Sequence, residues 1–158
     1  MTGRQGDPLT VHLEAAAPAD AATIAELIRT SKAAAMPWLA VVHTPEEDLG
    51  WVTSVLLVQH DVAVVRHDDL LVGVLATSPG WVDQLYVLTD HQGRGVGRAL
   101  LDRAKAASSG DLQLWTFAGN ARARAFYERA GFVAEEETDG STNEERAPDV
   151  RYRWRAGS

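Results

Sequence analysis

Between Trp81 and Ala107 the chain passes from an alternating apolar stretch, through three glycines spaced two apart, into an amphipathic helix. Gly93, Gly95 and Gly97 let the backbone turn through positive φ and let its N–H groups come close to a ligand. The helix that follows carries Val96, Leu100, Leu101, Ala104 and Ala107 on one face. That face is the one the helix buries. Its first-turn N–H groups have no partner inside the helix and lie at its positive end. Such a strand–turn–helix is a cradle for phosphate, and Arg94 and Arg98 add positive charge beside it. The spacing differs from two related loops. A dinucleotide fingerprint places a third glycine three residues after the second, where Arg98 or Leu100 stands here. A nucleoside-triphosphate loop requires Gly-Lys-Ser/Thr, which is absent. Two other readings of the turn stay open: a structural bend without a ligand, and a nucleotide-phosphate binding module.

Charge supports an anionic ligand at this segment. Residues 91–131 hold seven basic and three acidic side chains, a local net charge of +4, whereas the rest of the chain carries −11. A general nucleic-acid binder is basic overall, so that class is disfavoured. With no cysteine in 158 residues, disulfides, thiolate metal sites and a cysteine nucleophile are excluded. The five histidines form no metal-ligand spacing, and no G-x-S-x-G anchors a hydrolase triad, so no metal is expected. No apolar run approaches the roughly 18 residues that span a membrane. The polar start, with Gly3, Gly6 and Pro8, does not resemble a signal peptide. A soluble, cytoplasmic protein is expected.

The periodicities predict one α/β domain over residues 9–155, preceded by a loose tail over residues 1–8. Alternation at Leu9, Val11 and Leu13 predicts a strand, and Ile24, Leu27 and Ile28 predict a helix. Thr44-Pro45-Glu46-Glu47 is a capping box opening a second helix, with Leu49, Val52, Val55 and Leu56 inward. Strands are expected at 62–65, 70–76 and 81–88, the first two joined by a turn at His67-Asp68-Asp69. After the helix of the glycine turn come a strand near 112–117, a helix capped by Asn120, and strands at 132–136 and 150–154. A twisted mixed sheet of six or seven strands with about four helices is the expected architecture.

Two segments resemble motifs of the GCN5-related N-acetyltransferase (GNAT) superfamily. Gln92-Gly93-Arg94-Gly95-Val96-Gly97 is similar to its acetyl-CoA pyrophosphate signature, Gln/Arg-x-x-Gly-x-Gly/Ala. Asn120, Ala123 and Phe126-Tyr127-Glu128-Arg129-Ala130-Gly131-Phe132 are similar to its second motif, N-x-x-A-x-x-F-Y-x-x-x-G-F. The motifs stand in the family's order and cover roughly residues 80–134. The resemblance implies acetyl-CoA as co-substrate and direct attack of an amine on the thioester. It implies that Leu85, Tyr86 and Val87 form the strand whose backbone pairs with the pantetheine arm. Residues 93–98, with Gln92, resemble the pyrophosphate turn. Asn120 resembles the asparagine that bonds the cofactor arm, and Tyr127 the tyrosine that protonates the departing thiolate. The strands ending at Val87 and near Phe117 should part to admit the cofactor, and a backbone N–H near Val87 could stabilise the oxyanion.

An amine near pKa 10 is protonated at pH 7 and must lose a proton before it attacks. Some family members use a glutamate on the strand before the second motif, but Leu114-Trp115-Thr116 offers no carboxylate there. Asp83 is the expected replacement, because its parity with Leu85 and Val87 places it on their side of a regular strand. A water chain or His91 are the alternatives. Trp38, in the loop between the first two helices, is the candidate for acceptor binding. The acidic loop around Asn143, Glu144 and Glu145 reads either as solvated or as a wall of the acceptor pocket. The acidic remainder of the chain favours a small cationic amine over a peptide N-terminus or lysine side chain. A non-catalytic acyl-CoA sensor is the rival from another class. Neither nucleic acid nor membrane is an expected partner, and the chain is expected to be a monomer or homodimer.

Overall fold

The structure, a computed structural model, describes residues 10–157. The expected tail, with the first residue of the first expected strand, lies outside them. Seven strands form one mixed sheet: β1 (Leu13–Ala15), β2 (Asp61–His67), β3 (Leu70–Ser78), β4 (Trp81–Val87), β5 (Asp111–Phe117), β6 (Val133–Thr138) and β7 (Asp149–Arg155). Their spatial order is β1-β2-β3-β4-β5-β7-β6. All neighbours pair antiparallel except β4 and β5, which run parallel and meet at the single pair Trp81↔Gln113. The helices are α1 (Ala21–Ala35), α2 (Pro45–Trp51), α3 (Leu57–Gln59), α4 (Val96–Ala107) and α5 (Ala121–Arg129). A π-helical segment, Val52–Leu56, joins α2 to α3, so the three make one helical stretch. Four helical units and seven strands agree with the expected architecture. Among the described residues no helix is long and apolar enough to cross a membrane.

Each face of the sheet covers a core. On one face, Val96, Leu100, Leu101 and Ala104 of α4 and Tyr127 of α5 pack on Val72, Leu75, Leu112, Leu114, Val150 and Tyr152. On the other, Ile24 and Leu27 of α1 and Val52 and Leu56 of the second helical stretch pack on Val64, Leu71, Val74 and Ala76. The α2 start forms as its capping box predicts: Thr44 N–H donates to Glu47 Oε1 at 2.9 Å, and Glu47 N–H to Thr44 Oγ1 at 3.1 Å. Leu49 departs from expectation, being 40% exposed while Val52 and Leu56 are buried. The hairpin turn puts both Asp68 and Asp69 at positive φ, the pairing that suits a tight two-residue turn.

Gly73 decides how closely α4 approaches the sheet. A Cβ there would lie 2.9 Å from Val96 Cγ1 and 3.0 Å from Leu100 Cδ1, both in fully buried side chains. Overpacking of this kind costs about 1–3 kcal/mol. Gly73→Ala should therefore lower the melting temperature by several degrees in calorimetry. An unchanged melting temperature would mean that α4 can move off the sheet at no cost.

Candidate active site

The site begins where β4 and β5 part. Gln113 N–H donates to Gly80 O at 2.9 Å, and beyond the Trp81↔Gln113 pair the two strands make no further ladder. Leu88 N–H donates to Val72 O at 2.8 Å. An antiparallel ladder alternates, so Leu88 and Tyr86 direct their backbone groups at β3, while Val87 and Leu85 direct theirs into the gap. This is the arrangement expected of the strand that pairs with an extended arm. The Val87 carbonyl is already engaged, accepting from Gln92 Nε2 at 3.1 Å and from Ser31 Oγ at 3.4 Å. Gln92 thus ties the turn to the strand end, and the Val87 N–H and both backbone groups of Leu85 face the gap.

The glycine turn sits at the open end of this fork. Gly93 and Gly95 have φ of +76° and +90°, and Gly95 is the N-cap of α4. Beyond the chain neighbours, no described atom lies within 4 Å of where a Cβ would stand on either. Gly97 differs: its Cβ would be 3.4 Å from Phe126, so this glycine serves contact between α4 and α5. Val96 is buried in the core, so only its backbone can reach a ligand. Arg98 is exposed and Arg94 half-buried beside the turn.

A cleft of about 100 Å³ lies in the fork, lined by residues of β4 and β5 and by Met36, Asn120, Ala123 and Tyr127. Asn120 Oδ1 accepts from Ala123 N–H at 3.2 Å, capping α5, which leaves its Nδ2 to donate toward the cleft. The Tyr127 ring is wedged against Phe126, Phe132 and Tyr152 at centroid distances of 5.2, 5.7 and 6.4 Å. Burial raises the Tyr127 pKa, and the nearby Tyr86 raises it further. Tyr86 is pushed up to about 12 by burial first and by the charge of Glu145 second. Both hydroxyls are therefore protonated at neutral pH.

Asp83 is not where strand parity puts it. Ala76 pairs with Gln84 and Thr77 with Val82, so Asp83 is the extra residue of a bulge. The insertion reverses the alternation: Val82 joins Leu85 and Val87 on the α4 and α5 face, while Asp83 falls on the opposite face. There its carboxylate accepts from Ser78 Oγ at 2.7 Å and stands 3.8 Å from His60 Nε2. Asp83 still borders the cleft, but at its closed end. His91 lies on the short turn before the glycines, packed edge-on to His67 at 5.6 Å, and burial lowers its pKa.

A larger groove of about 690 Å³ opens on the α1 and α2 face and meets the cleft at Met36 and Gln84, which line both. Its apolar wall includes Ile28, Leu39, Val42 and Trp51, and its charged rim includes Arg29, Lys32, His43, Glu47, Asp48, Glu144 and Glu145. Arg29 pairs with Asp48 at 2.7 Å and Lys32 with Glu145 at 3.6 Å. His43 Nε2 and Glu144 Oε2 are 2.9 Å apart, a bond between the α1–α2 loop and the β6–β7 loop that raises the His43 pKa. Trp38 does not border the groove. It is 52% exposed, and its ring packs directly on Gly119 at the turn between β5 and α5. The tryptophan of the groove is Trp51.

The acidic loop is a wall, not a solvated excursion. Asn143 Nδ2 donates to Ala147 O at 2.7 Å and to Asp149 Oδ2 at 3.2 Å, and Asn143 Oδ1 accepts from Ala147 N–H at 3.2 Å. Thr138 Oγ1 donates to Asp149 and accepts from Gly140 N–H. Ala147 is buried against Met36 and Leu39. These contacts hold Glu144 and Glu145 at the rim.

Residues 58–134 match the family of the acetyltransferase (GNAT) domain. Among curated proteins, none matches the sequence. Among solved structures, a GCN5-related N-acetyltransferase from Rhodopseudomonas palustris superposes with a TM-score of 0.78 at 22% identity, covering 94% of this chain and 97% of that one. The PaiA N-acetyltransferase of Thermoplasma acidophilum, in complex with coenzyme A, gives 0.71 at 18% identity, covering 93% and 99%. YncA of Salmonella typhimurium, a putative acetyltransferase with acetyl-CoA, gives 0.67 at 18% identity, covering 95% and 96%.

Proposed function

For a chain that carries a GNAT acetyltransferase domain and the fold of that superfamily, we propose transfer of the acetyl group of acetyl-CoA to the amine of a small cationic acceptor. The observation that carries this reading is the parting of β4 and β5 into a cleft: the unpaired edge of β4 lines it together with Asn120 and Tyr127, and the glycine turn follows directly on that strand, tied to its Val87 end by Gln92. Their chemistry fits acetyl-CoA. The N–H groups at the start of α4, with Arg94 and Arg98, suit the diphosphate. The backbone of Leu85 and Val87 suits the amides of the pantetheine arm, and Asn120 Nδ2 supplies a further donor. Tyr127 holds the proton that a departing thiolate requires, and the Val87 N–H points where an oxyanion would develop.

The acceptor enters through the groove. Four carboxylates and two permanent cations stand on its rim, over a wall that includes Trp51 and aliphatic side chains. That surface suits an amine with an apolar body and a positive charge. Incubation with acetyl-CoA and a panel of amines, read by a thiol-detecting dye, tests the reaction; a non-catalytic acyl-CoA sensor would release no thiol with any of them. The charge assignment makes a separate prediction. Exposed carboxylates steer cations through a field screened over about 8–10 Å at physiological salt. At saturating acetyl-CoA, kcat/KM for a polycationic amine should fall as ionic strength rises, and more steeply than for a peptide with an acidic second residue. A peptide that is the better substrate would show that the acceptor surface acts as a basic one.

A further inference from the structure

The groove contains a carboxylate better placed than Asp83 to meet the acceptor. Glu145 comes from the β6–β7 loop, and its side chain is only 14% exposed. It lines the groove together with Gln84 and Met36, the two residues through which groove and cleft communicate. The loop is fixed by the Asn143 bonds and by the packing of Ala147 on Met36 and Leu39, so the carboxylate is preorganised. Its electrostatic reach extends to Tyr86, which lines the cleft with Tyr127. Asp83, in contrast, accepts from Ser78 at the end of the fork where β4 and β5 are still joined. The only partner given to Glu145 by a described residue is an ammonium group, that of Lys32 at 3.6 Å.

Resting on the acetyltransferase reading, we infer that Glu145 binds the acceptor's ammonium group and takes its proton, Lys32 holding the place of that cation until the acceptor arrives. The step balances as follows. One ammonium proton passes to the Glu145 carboxylate, directly or through one water, and the nitrogen lone pair is released. That pair attacks the thioester carbonyl carbon; the C–N bond forms, the C–S bond breaks, and the electron pair leaves on sulfur. The thiolate takes the proton of Tyr127. The second proton lost by the acylated nitrogen restores the tyrosine, and Glu145 returns its proton to solvent.

The test uses one alkylamine that the wild type acetylates and its fluorinated analogues, similar in size and falling in basicity until they are neutral at pH 7. Glu145→Gln keeps the shape and removes the proton acceptor. With the basic parent amine its kcat/KM should fall by about a hundredfold, the lower end of general-base effects. Across the series the deficit should shrink to within a few-fold for the neutral analogues. A deficit of constant size, or none, overturns the inference while leaving the acetyltransferase reading intact. Asp83→Asn should show no such dependence on basicity; if it does and Glu145→Gln does not, Asp83 is the base. Lys32→Met removes the internal cation and should lower KM for the parent amine several-fold. A raised KM would show that Lys32 orients Glu145 and does not compete for it. Absence of transfer by the wild type to any amine would overturn the acetyltransferase reading and this inference together.

Discussion

Replacing Tyr127 by phenylalanine should lower kcat by about 10²–10⁴-fold, the range of general acid catalysis, with acetyl-CoA affinity nearly unchanged. The substitution is clean because the ring, not the hydroxyl, holds the residue in place. Phe126, Phe132 and Tyr152 pack around it, and the residue is 8% exposed. Phenylalanine keeps all of that contact, so melting temperature should not move. The role proposed for the hydroxyl concerns charge alone. Burial raises its pKa, so it is protonated throughout the neutral range. The same apolar surroundings raise the pKa of a departing thiolate, because they disfavour its charged form as well. Without the hydroxyl, the thiolate must leave unprotonated in a place where charge is costly. Single-turnover measurement isolates this step from product release. A single-turnover rate within about threefold of wild type would assign protonation of the thiolate to water.

The parts of the site that depend on local backbone chemistry were legible in the sequence. The turn read as needing positive φ at some of its three glycines, Asn120 as a cap and Thr44 with Glu47 as a capping box, and the structure bears out each, with Gly93 and Gly95 but not Gly97 at positive φ. The parting of β4 and β5 was expected from the family resemblance, since no residue pattern encodes an absent ladder. Asp83 was misplaced for a definite reason. Parity arguments assume an unbroken pleat, and one inserted residue between Val82 and Gln84 inverts every orientation on one side of it. Nothing in Trp81-Val82-Asp83-Gln84 marks that insertion. Trp38 was singled out for its place in the loop between the first two helices; tertiary packing, which that position does not encode, sets its ring on Gly119 and brings Trp51, at the end of α2, to the groove. The wall formed by residues 139–148 has no periodicity to read. Its signals were Gly140 and Asn143, turn-forming residues whose bonds order the loop.

Gly95→Val should weaken acetyl-CoA binding by at least tenfold, or about 1.4 kcal/mol, while the protein stays folded. Two effects act at this position and they can be separated. The first is backbone strain. Gly95 has φ of +90°, where an L-residue costs about 1–2 kcal/mol and a β-branched one is a marked outlier. The second is obstruction. Beyond its chain neighbours, no described atom lies within 4 Å of a Cβ placed there, so the side chain enters open space and does not press into the core. It would instead fill the space in front of the α4 N-terminus that the diphosphate is proposed to occupy. Gly80 provides the control. Its φ is +81° and its Cβ position is equally open, but it lies in the turn between β3 and β4, at the opposite end of β4 from the cradle. Gly80→Val should therefore cost comparable stability and leave acetyl-CoA affinity unchanged in titration calorimetry. If both variants bind acetyl-CoA equally well, the α4 turn is a bend without a ligand. If both bind it equally poorly, strain in the sheet accounts for the loss. Weakened binding in Gly95→Val alone, with matched melting temperatures, assigns the effect to a side chain in the path of the diphosphate.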